Sequence, residues 1–167
     1  MSLAACTPTT DHHLPPGQRV ADVSLNDVNP TSTSYDEMVS PRDHLGHASA
    51  WYFAASTCTY CRWQYEHLDD IQRELDAQHP NLGIAILAVN RTGYEAKVEA
   101  MAALGDIPLL QDTREEDCWH KWYVEYRDVI ILDGDNHPFF TYNLTDNDLA
   151  DPDVRTELID RLLDAAE

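Results

Sequence analysis

Apolar and polar positions divide the chain into short strands and amphipathic helices. Val20, Val23 and Leu25 predict a first strand over Val20–Asn26, followed by an Asn29-Pro30-Thr31-Ser32 turn. Tyr35–Val39 reads as one helical turn before Ser40-Pro41. The apolar run from Ala50 predicts a buried core strand over Trp51–Ala55. From Cys61, residues Tyr65, Leu68, Ile71 and Leu75 recur at three- and four-residue steps. That spacing predicts a helix to about Gln78, stopped by His79-Pro80-Asn81. Gly83–Asn90 is apolar and β-branched throughout, the pattern of a strand covered on both faces in a parallel sheet. A helix joining two such strands makes a right-handed βαβ unit.

The second half of the chain continues the alternation. Tyr94, Val98, Met101 and Leu104 predict a helix over 94–104 that Gly105 ends, and Asp106–Leu110 reads as a short extended segment. Glu115–Tyr126 predicts a helix with Cys118, Trp119, Trp122 and Tyr123 inward. Val129–Leu132 and Pro138–Leu144, joined through Gly134-Asp135-Asn136, predict a hairpin. Asp151-Pro152 supplies a cap and a first-turn proline for a final helix with Val154, Leu158, Ile159, Leu162 and Ala165 in one stripe. The sum is an α/β domain, a mixed sheet between helices, with one parallel crossover followed by an antiparallel hairpin. Residues 1–17 read as a flexible tether. Residues 18–167 form the domain, with 18–47 as an N-terminal extension.

Composition narrows the functional classes. The 167 residues are enough for a sizeable core, and 43% hydrophobic content with 4 Trp, 8 Tyr and 3 Phe excludes wholesale disorder. Thirty acidic against 11 basic residues give a net charge of −19, which repels nucleic acid and anionic lipid. Leu3-Ala4-Ala5-Cys6 matches a lipobox without the charged and apolar regions that precede one. A lipid on Cys6 is the one membrane attachment the sequence suggests, and it would make the protein an extracytoplasmic lipoprotein. The alternative is a chance match in a cytoplasmic chain.

Chemistry concentrates where the core strand ends. Cys58-Thr59-Tyr60-Cys61 opens the first helix, the arrangement a dithiol needs for disulfide exchange. The helix start favours the anion on Cys58, and Cys61, one turn in, is placed to attack a mixed disulfide. A zinc site adding Cys118 and His120 is disfavoured, because residues two apart on a helix point to different faces. Cys118 alone reads as a buried thiol beside Trp119 and Trp122. Arg62 either adds positive field or is solvated, Tyr60 is an exposed residue able to touch substrate, and His67 lies on the surface. Asp146-Asn147-Asp148 with Asp151 and Asp153 reads as a solvated helix start and lacks the ligand order of a calcium loop.

Trp51–Cys61 resembles the active-site segment of the thioredoxin superfamily. The fuller set is Cys58-Thr-Tyr-Cys61, Ala88-Val89-Asn90, Ile107-Pro108-Leu-Leu-Gln111, Asp117-Cys-Trp119 and Asp128-Val-Ile-Ile-Leu-Asp133. It is similar to the N-terminal domain of selenoprotein P and its bacterial redoxin relatives over about residues 48–145. The resemblance implies a thioredoxin-like fold and thiol redox activity, with Cys58 at the selenocysteine position as nucleophile and Cys61 resolving. It implies a protein or small-molecule thiol or disulfide substrate, an electron partner the sequence does not name, no metal, and no cofactor beyond a Cys58–Cys61 disulfide. Thr59 and Tyr60, between the cysteines, and Arg127 and Asp128, where thioredoxins carry a cis-proline, are the expected substrate contacts. Two departures stand out: no proline precedes the Asp128 strand, and Tyr52 replaces the buried acid found six residues before the first cysteine. The rival readings are a thiol peroxidase with Cys58 as peroxidatic residue, and a non-catalytic lipoprotein holding a soft metal such as Cu(I). The peroxiredoxin signature Pro-x-x-x-Thr-x-x-Cys is absent, with Trp51 and Ala55 in its proline and threonine places.

Overall fold

The computed structural model describes Leu14 and residues 17–167. Cys6 and almost all of the tether fall outside the described residues. Among the described residues, seven strands form a single sheet in the order β2-β1-β5-β4-β3-β6-β7. They are β1 (Leu25–Asp27), β2 (Met38–Val39), β3 (Ser49–Ala54), β4 (Ala85–Asn90), β5 (Leu109–Gln111), β6 (Asp128–Leu132) and β7 (Pro138–Asn143). The helices are α1 (Thr59–Gln78), α2 (Val98–Ala102), α3 (Cys118–Lys121) and α4 (Pro152–Ala165). No helix among the described residues is long and apolar enough to cross a membrane.

β3 is the centre because it is apolar on both faces, and all six of its residues are buried. It runs parallel to β4 and antiparallel to β6. The strand's two-residue period sends Ala50, Tyr52 and Ala54 into one core and Trp51 and Phe53 into another. The first core lies under α1 and α4, whose Leu68, Ile71, Leu75, Leu158 and Leu162 fill it. The second is covered by Val20, Val23, Trp119 and Trp122. Asp151 caps α4 by accepting from the Asp153 N–H, with Pro152 in the first turn, as the sequence predicts.

Several predicted elements change. β1 shrinks to Leu25–Asp27, because Val20 bonds to Asn136 and its segment packs as extended chain outside the ladder. Tyr35–Val39 is not helical: Asp36 sits at φ 62°, and Asp27 exchanges backbone bonds with Asp36 and Glu37, which starts a β1–β2 hairpin. The 94–104 helix divides into a 3-10 turn at Glu95–Lys97 and the short α2. The extended segment after Gly105 becomes β5, parallel to β4, so there are two parallel crossovers where the sequence predicts one. The 115–126 helix contracts to the single turn α3. Left-handed residues bracket it, Asp117 at φ 45° and Tyr123 at φ 53°. Tyr123 is consequently exposed, while Cys118, Trp119 and Trp122 are buried. Asp112 explains this local geometry, since its carboxylate accepts from the Thr113, Cys118 and Trp119 amides.

Buried polar groups hold the loop feeding β5. Asn29 donates to the Gly105 and Ile107 carbonyls, Tyr65 donates to the Ile107 carbonyl, Asp27 accepts from the Leu109 amide, and Asp69 adds a carboxylate from α1. Asp69 of α1, 2% exposed, accepts from the Asp106 and Ile107 amides and pairs with Arg73. Gly105 is needed there, because a Cβ would lie 2.6 Å from the Asp69 carboxyl carbon. Asp69→Ala removes a buried charge partner and the oxygen that accepts two backbone hydrogen bonds, and is expected to cost roughly 3 kcal/mol. Urea unfolding should show a lower midpoint with an unchanged slope. An unchanged midpoint contradicts the anchoring role.

Candidate active site

The end of β3 delivers the two cysteines. After Ala54 the chain turns through Ala55-Ser56-Thr57, closed by a Cys58 N–H to Ala55 bond of 3.0 Å. The last residue of β4 holds this turn from the side: Asn90, fully buried, accepts from the Ser56 N–H at 2.7 Å. Its amide group also donates to Gln111 of β5. Ser56 Oγ donates to the Tyr94 carbonyl, and Arg62 of α1 donates to the Ser56 carbonyl at 2.7 Å. Arg62 is therefore a bound, half-buried side chain and not a freely solvated one. It clamps the cysteine turn.

Cys58 is the N-cap of α1, with extended backbone at φ −83°, ψ 115°. Its sulfur accepts from the Cys61 N–H at 3.1 Å, the position a serine or aspartate oxygen takes in an ordinary cap. The first turn of α1 contains no acidic side chain to oppose an anion there. Arg127, just before β6, approaches from the other side. Its backbone N–H donates to Phe53 of β3 at 2.8 Å, and its Nη2 lies 3.8 Å from Cys58 Sγ. Nη1 donates to Thr145 at 3.1 Å, and the guanidinium lies 5.0 Å from the Tyr60 ring centroid.

These contacts separate the two thiols. Partial burial pushes the Cys58 thiol up, but hydrogen bonds from the Cys61 side chain and backbone, and from Arg127, outweigh it and hold Cys58 below an ordinary thiol. Cys61 is fully buried, and that burial, with Cys58 beside it, pushes its thiol up. The outer sulfur is favoured as an anion and the inner one as a protonated thiol. Tyr52, fully buried below Cys61, donates to the Cys61 carbonyl at 3.4 Å. A neutral hydroxyl thus occupies the region where the resemblance leads one to look for an acid.

The other named residues divide. Thr59 is exposed at the start of α1, where its hydroxyl accepts from Arg62. Tyr60, expected to be exposed, is half-buried, because its hydroxyl donates to the Leu144 carbonyl at 3.0 Å. Asp128, expected at the substrate surface, is buried instead. Its carboxylate accepts from the Glu125 N–H at 2.7 Å and from Asn143 at 2.8 Å, which shapes the Arg127 turn. His67 is half-buried against Trp63, at 5.3 Å between ring centroids, where the sequence reading places it on the surface.

Cys118 is fully buried in the second core, across the sheet from Cys61, and burial pushes its thiol well up. The sheet therefore separates Cys118 from the pair, and the structure does not assemble the Cys118–His120 zinc grouping. No group of three His, Cys, Asp or Glu side chains converges among the described residues. In the acidic loop, Asp148 accepts from Gln64 and Ala150 and Asp151 caps α4, so both carboxylates serve the backbone and α1. Gln64 and Asn90 help organise the site, and the sequence reading assigned neither a role there. Asn90 had a signal, a polar residue closing an apolar strand. Gln64 had none.

No protein-family model and no curated protein matches the sequence. Solved structures do resemble the fold. A Chlorobium tepidum protein assigned as thiol:disulfide interchange protein DsbE is 18% identical, with TM-score 0.70, over 92% of this chain and 99% of that one. BsSco, a member of the Sco family of cytochrome c oxidase assembly proteins with a disulfide switch, is 16% identical, with TM-score 0.66, over 92% and 96%. A secreted Mycobacterium tuberculosis disulfide oxidoreductase is 11% identical, with TM-score 0.60, over 84% and 93%. The chain has the thioredoxin-like fold.

Alkylation of the reduced protein across a pH series reads the sulfur environments directly. Cys58 is expected to react with a midpoint below that of a free thiol, and its rate should fall as pH drops through that midpoint and the thiolate is protonated. Arg127→Ala should move the midpoint upward, whereas an unchanged or lower midpoint contradicts the Arg127 contact. Cys118 should label only after unfolding.

Proposed function

We propose that the chain is a thiol–disulfide oxidoreductase in which Cys58 attacks and Cys61 resolves. One observation carries this reading: a half-buried sulfur, accepting from the Cys61 amide and facing Arg127, stands in front of a fully buried second thiol. The Cys58 thiolate attacks one sulfur of a substrate disulfide and expels the other as a thiolate, leaving a mixed disulfide. Loss of negative charge at Cys58 then lowers the cost of ionising Cys61, which attacks Cys58 Sγ and releases the remaining substrate thiol. Two electrons pass from the dithiol to the substrate, and the pair ends as a Cys58–Cys61 disulfide. The reverse sequence oxidises a substrate dithiol.

The substrates in this reading are thiols or disulfides of proteins or small molecules, contacted at Thr59, Tyr60 and Arg127. The disulfide-exchange names of the structural neighbours support that class. The secreted mycobacterial neighbour supports an extracytoplasmic setting. The selenoprotein P-like letters, from Cys58-Thr-Tyr-Cys61 to the Asp128–Asp133 strand, support placement in that branch of the fold.

Single-cysteine variants test the division of labour. With a model disulfide, Cys61→Ser should accumulate a mixed disulfide through Cys58, visible by mass as one substrate half. Cys58→Ser should lose turnover, because the thiol that remains is buried and protonated. Full turnover by Cys61→Ser overturns the resolving role. Stoichiometric peroxide consumption with no disulfide exchange points to the peroxidase reading instead, and Cu(I) that blocks both thiols during exchange assays points to the metal reading.

A further inference from the structure

Trp63 is the exposed end of an aromatic path that begins at the reactive sulfur. The Arg127 guanidinium reaches Cys58 Sγ at 3.8 Å and lies 5.0 Å from the Tyr60 ring centroid. Tyr60 meets Trp63 edge-on at 5.9 Å between centroids, and Trp63 meets His67 at 5.3 Å. Trp63 itself is 42% exposed and belongs to neither hydrophobic core. A solitary exposed apolar side chain needs no explanation. This one is held by a ring on each side, and Tyr60 is fixed in turn by its bond to the Leu144 carbonyl. The indole is therefore pre-positioned, so covering it costs little side-chain entropy.

A peptide that brings its sulfur to Cys58 also covers the surface beside it. With a helical rise of about 1.5 Å per residue, Trp63 lies roughly 7 Å along the α1 axis from Cys58. An extended peptide advances about 3.3 Å per residue, so a side chain two residues from the substrate cysteine reaches the indole. Charge selects further. Arg127 is committed to Cys58, Thr145 and the Tyr60 ring, and Arg62 to Ser56 and Thr59. Glu66, three residues beyond Trp63, is exposed and forms no ion pair among the described residues. It stands roughly 12 Å along the axis from Cys58, past the reach of about 8 Å that the Arg127 charge has at physiological salt. The net charge of −19 has the same sign as Glu66, so this end of the path favours a cation.

We infer that the pair acts on peptide or protein disulfides whose cysteine is flanked by an apolar side chain, which lies on Trp63, and beyond it by a basic one, which meets Glu66. This inference rests on the redox reading above and narrows its substrate class. The Cys58 thiolate bonds to the cysteine sulfur of one peptide and expels the other peptide as a thiolate. Cys61 then bonds to Cys58 and expels the first. The dithiol gives up two electrons and two protons, and both peptides leave as thiols.

The probe is a capped heptapeptide, Lys-Leu-Gly-Cys-Gly-Leu-Lys, dimerised through its cysteine, whose symmetry serves either chain direction. Two relatives replace both leucines by serine, or both lysines by glutamate. The reduced protein is oxidised by each at about 0.15 M salt. Every rate is referred to the same disulfide's rate with dithiothreitol, to remove intrinsic reactivity. The leucine peptide should outpace the serine peptide by about fivefold, the scale of an aliphatic side chain partly removed from water. The lysine peptide should outpace the glutamate peptide by about threefold, the scale of an exposed ion pair. Trp63→Ala should bring the first ratio close to one, and Glu66→Gln should lower the second. A leucine-to-serine ratio close to one in the wild type, or one that Trp63→Ala leaves unchanged, overturns the inference and leaves the redox reading intact. So does a glutamate peptide that reacts as fast as the lysine peptide. If none of the three peptides yields a Cys58–Cys61 disulfide, the redox reading falls and the inference with it.

Discussion

The bond from the Cys61 amide to the Cys58 sulfur is the interaction on which the rest depends. It makes a cysteine the N-cap of a 20-residue helix, so the first turn's unpaired N–H groups face a sulfur. Those partial positive charges favour an anion by tenths of a kcal/mol to about 1 kcal/mol. Partial burial opposes them. Arg127 supplies the additional positive charge, at 3.8 Å, and the balance lowers the thiol pKa of Cys58 while that of Cys61 rises. The same helix buries Cys61 one turn further in, where loss of solvation outweighs the help Arg127 gives and pushes its thiol up. A difference in depth of one helical turn thus becomes a difference in acidity.

The sheet exists, for this purpose, to fix that turn. β3 is buried on both faces, so its end is rigid, and its neighbours grip it through Asn90 and the Arg127 backbone. Arg127 holds a left-handed conformation at φ 69°, which costs a non-glycine residue roughly 1–2 kcal/mol. The bonds to Phe53, Thr145 and Cys58, and the Tyr60 stacking, offset that cost and fix the guanidinium over the sulfur. Where the resemblance leads one to expect a proline, the chain has a cation on a strained backbone. The sheet also separates the cysteines: Cys118 lies in the opposite core, so the described thiols divide into the adjacent Cys58–Cys61 pair and one packing residue.

Long periodic segments were legible in the sequence. The α1 stripe, the double-faced β3 and β4, the hairpin and the capped α4 all declare themselves through spacing and burial, and so does the cysteine pair at a strand–helix junction. Where the sequence misleads, local polar chemistry has overridden periodicity. Trp119, Trp122 and Tyr123 mimic a helical stripe, but Asp112 draws the amides around itself and left-handed Asp117 and Tyr123 stop the helix after one turn. β5 is three residues long and follows a proline, too short for a pattern to show its pairing. Asp128 carries the charge of a surface residue, yet its role is to shape the turn that aims Arg127. Gln64 bonds to Asp148 and Leu149, more than eighty residues away in sequence, and no local motif marks it.

The central claim, a reversible two-electron dithiol at Cys58–Cys61, is tested most directly by equilibrating the protein in thiol–disulfide buffers and identifying each redox form by peptide mass mapping. The account predicts a single reversible transition whose oxidised form contains a Cys58–Cys61 disulfide and whose midpoint moves about 30 mV per tenfold change in equilibrium constant. Oxidation that stops at an oxygenated Cys58, or that leaves Cys61 a thiol throughout, would contradict it.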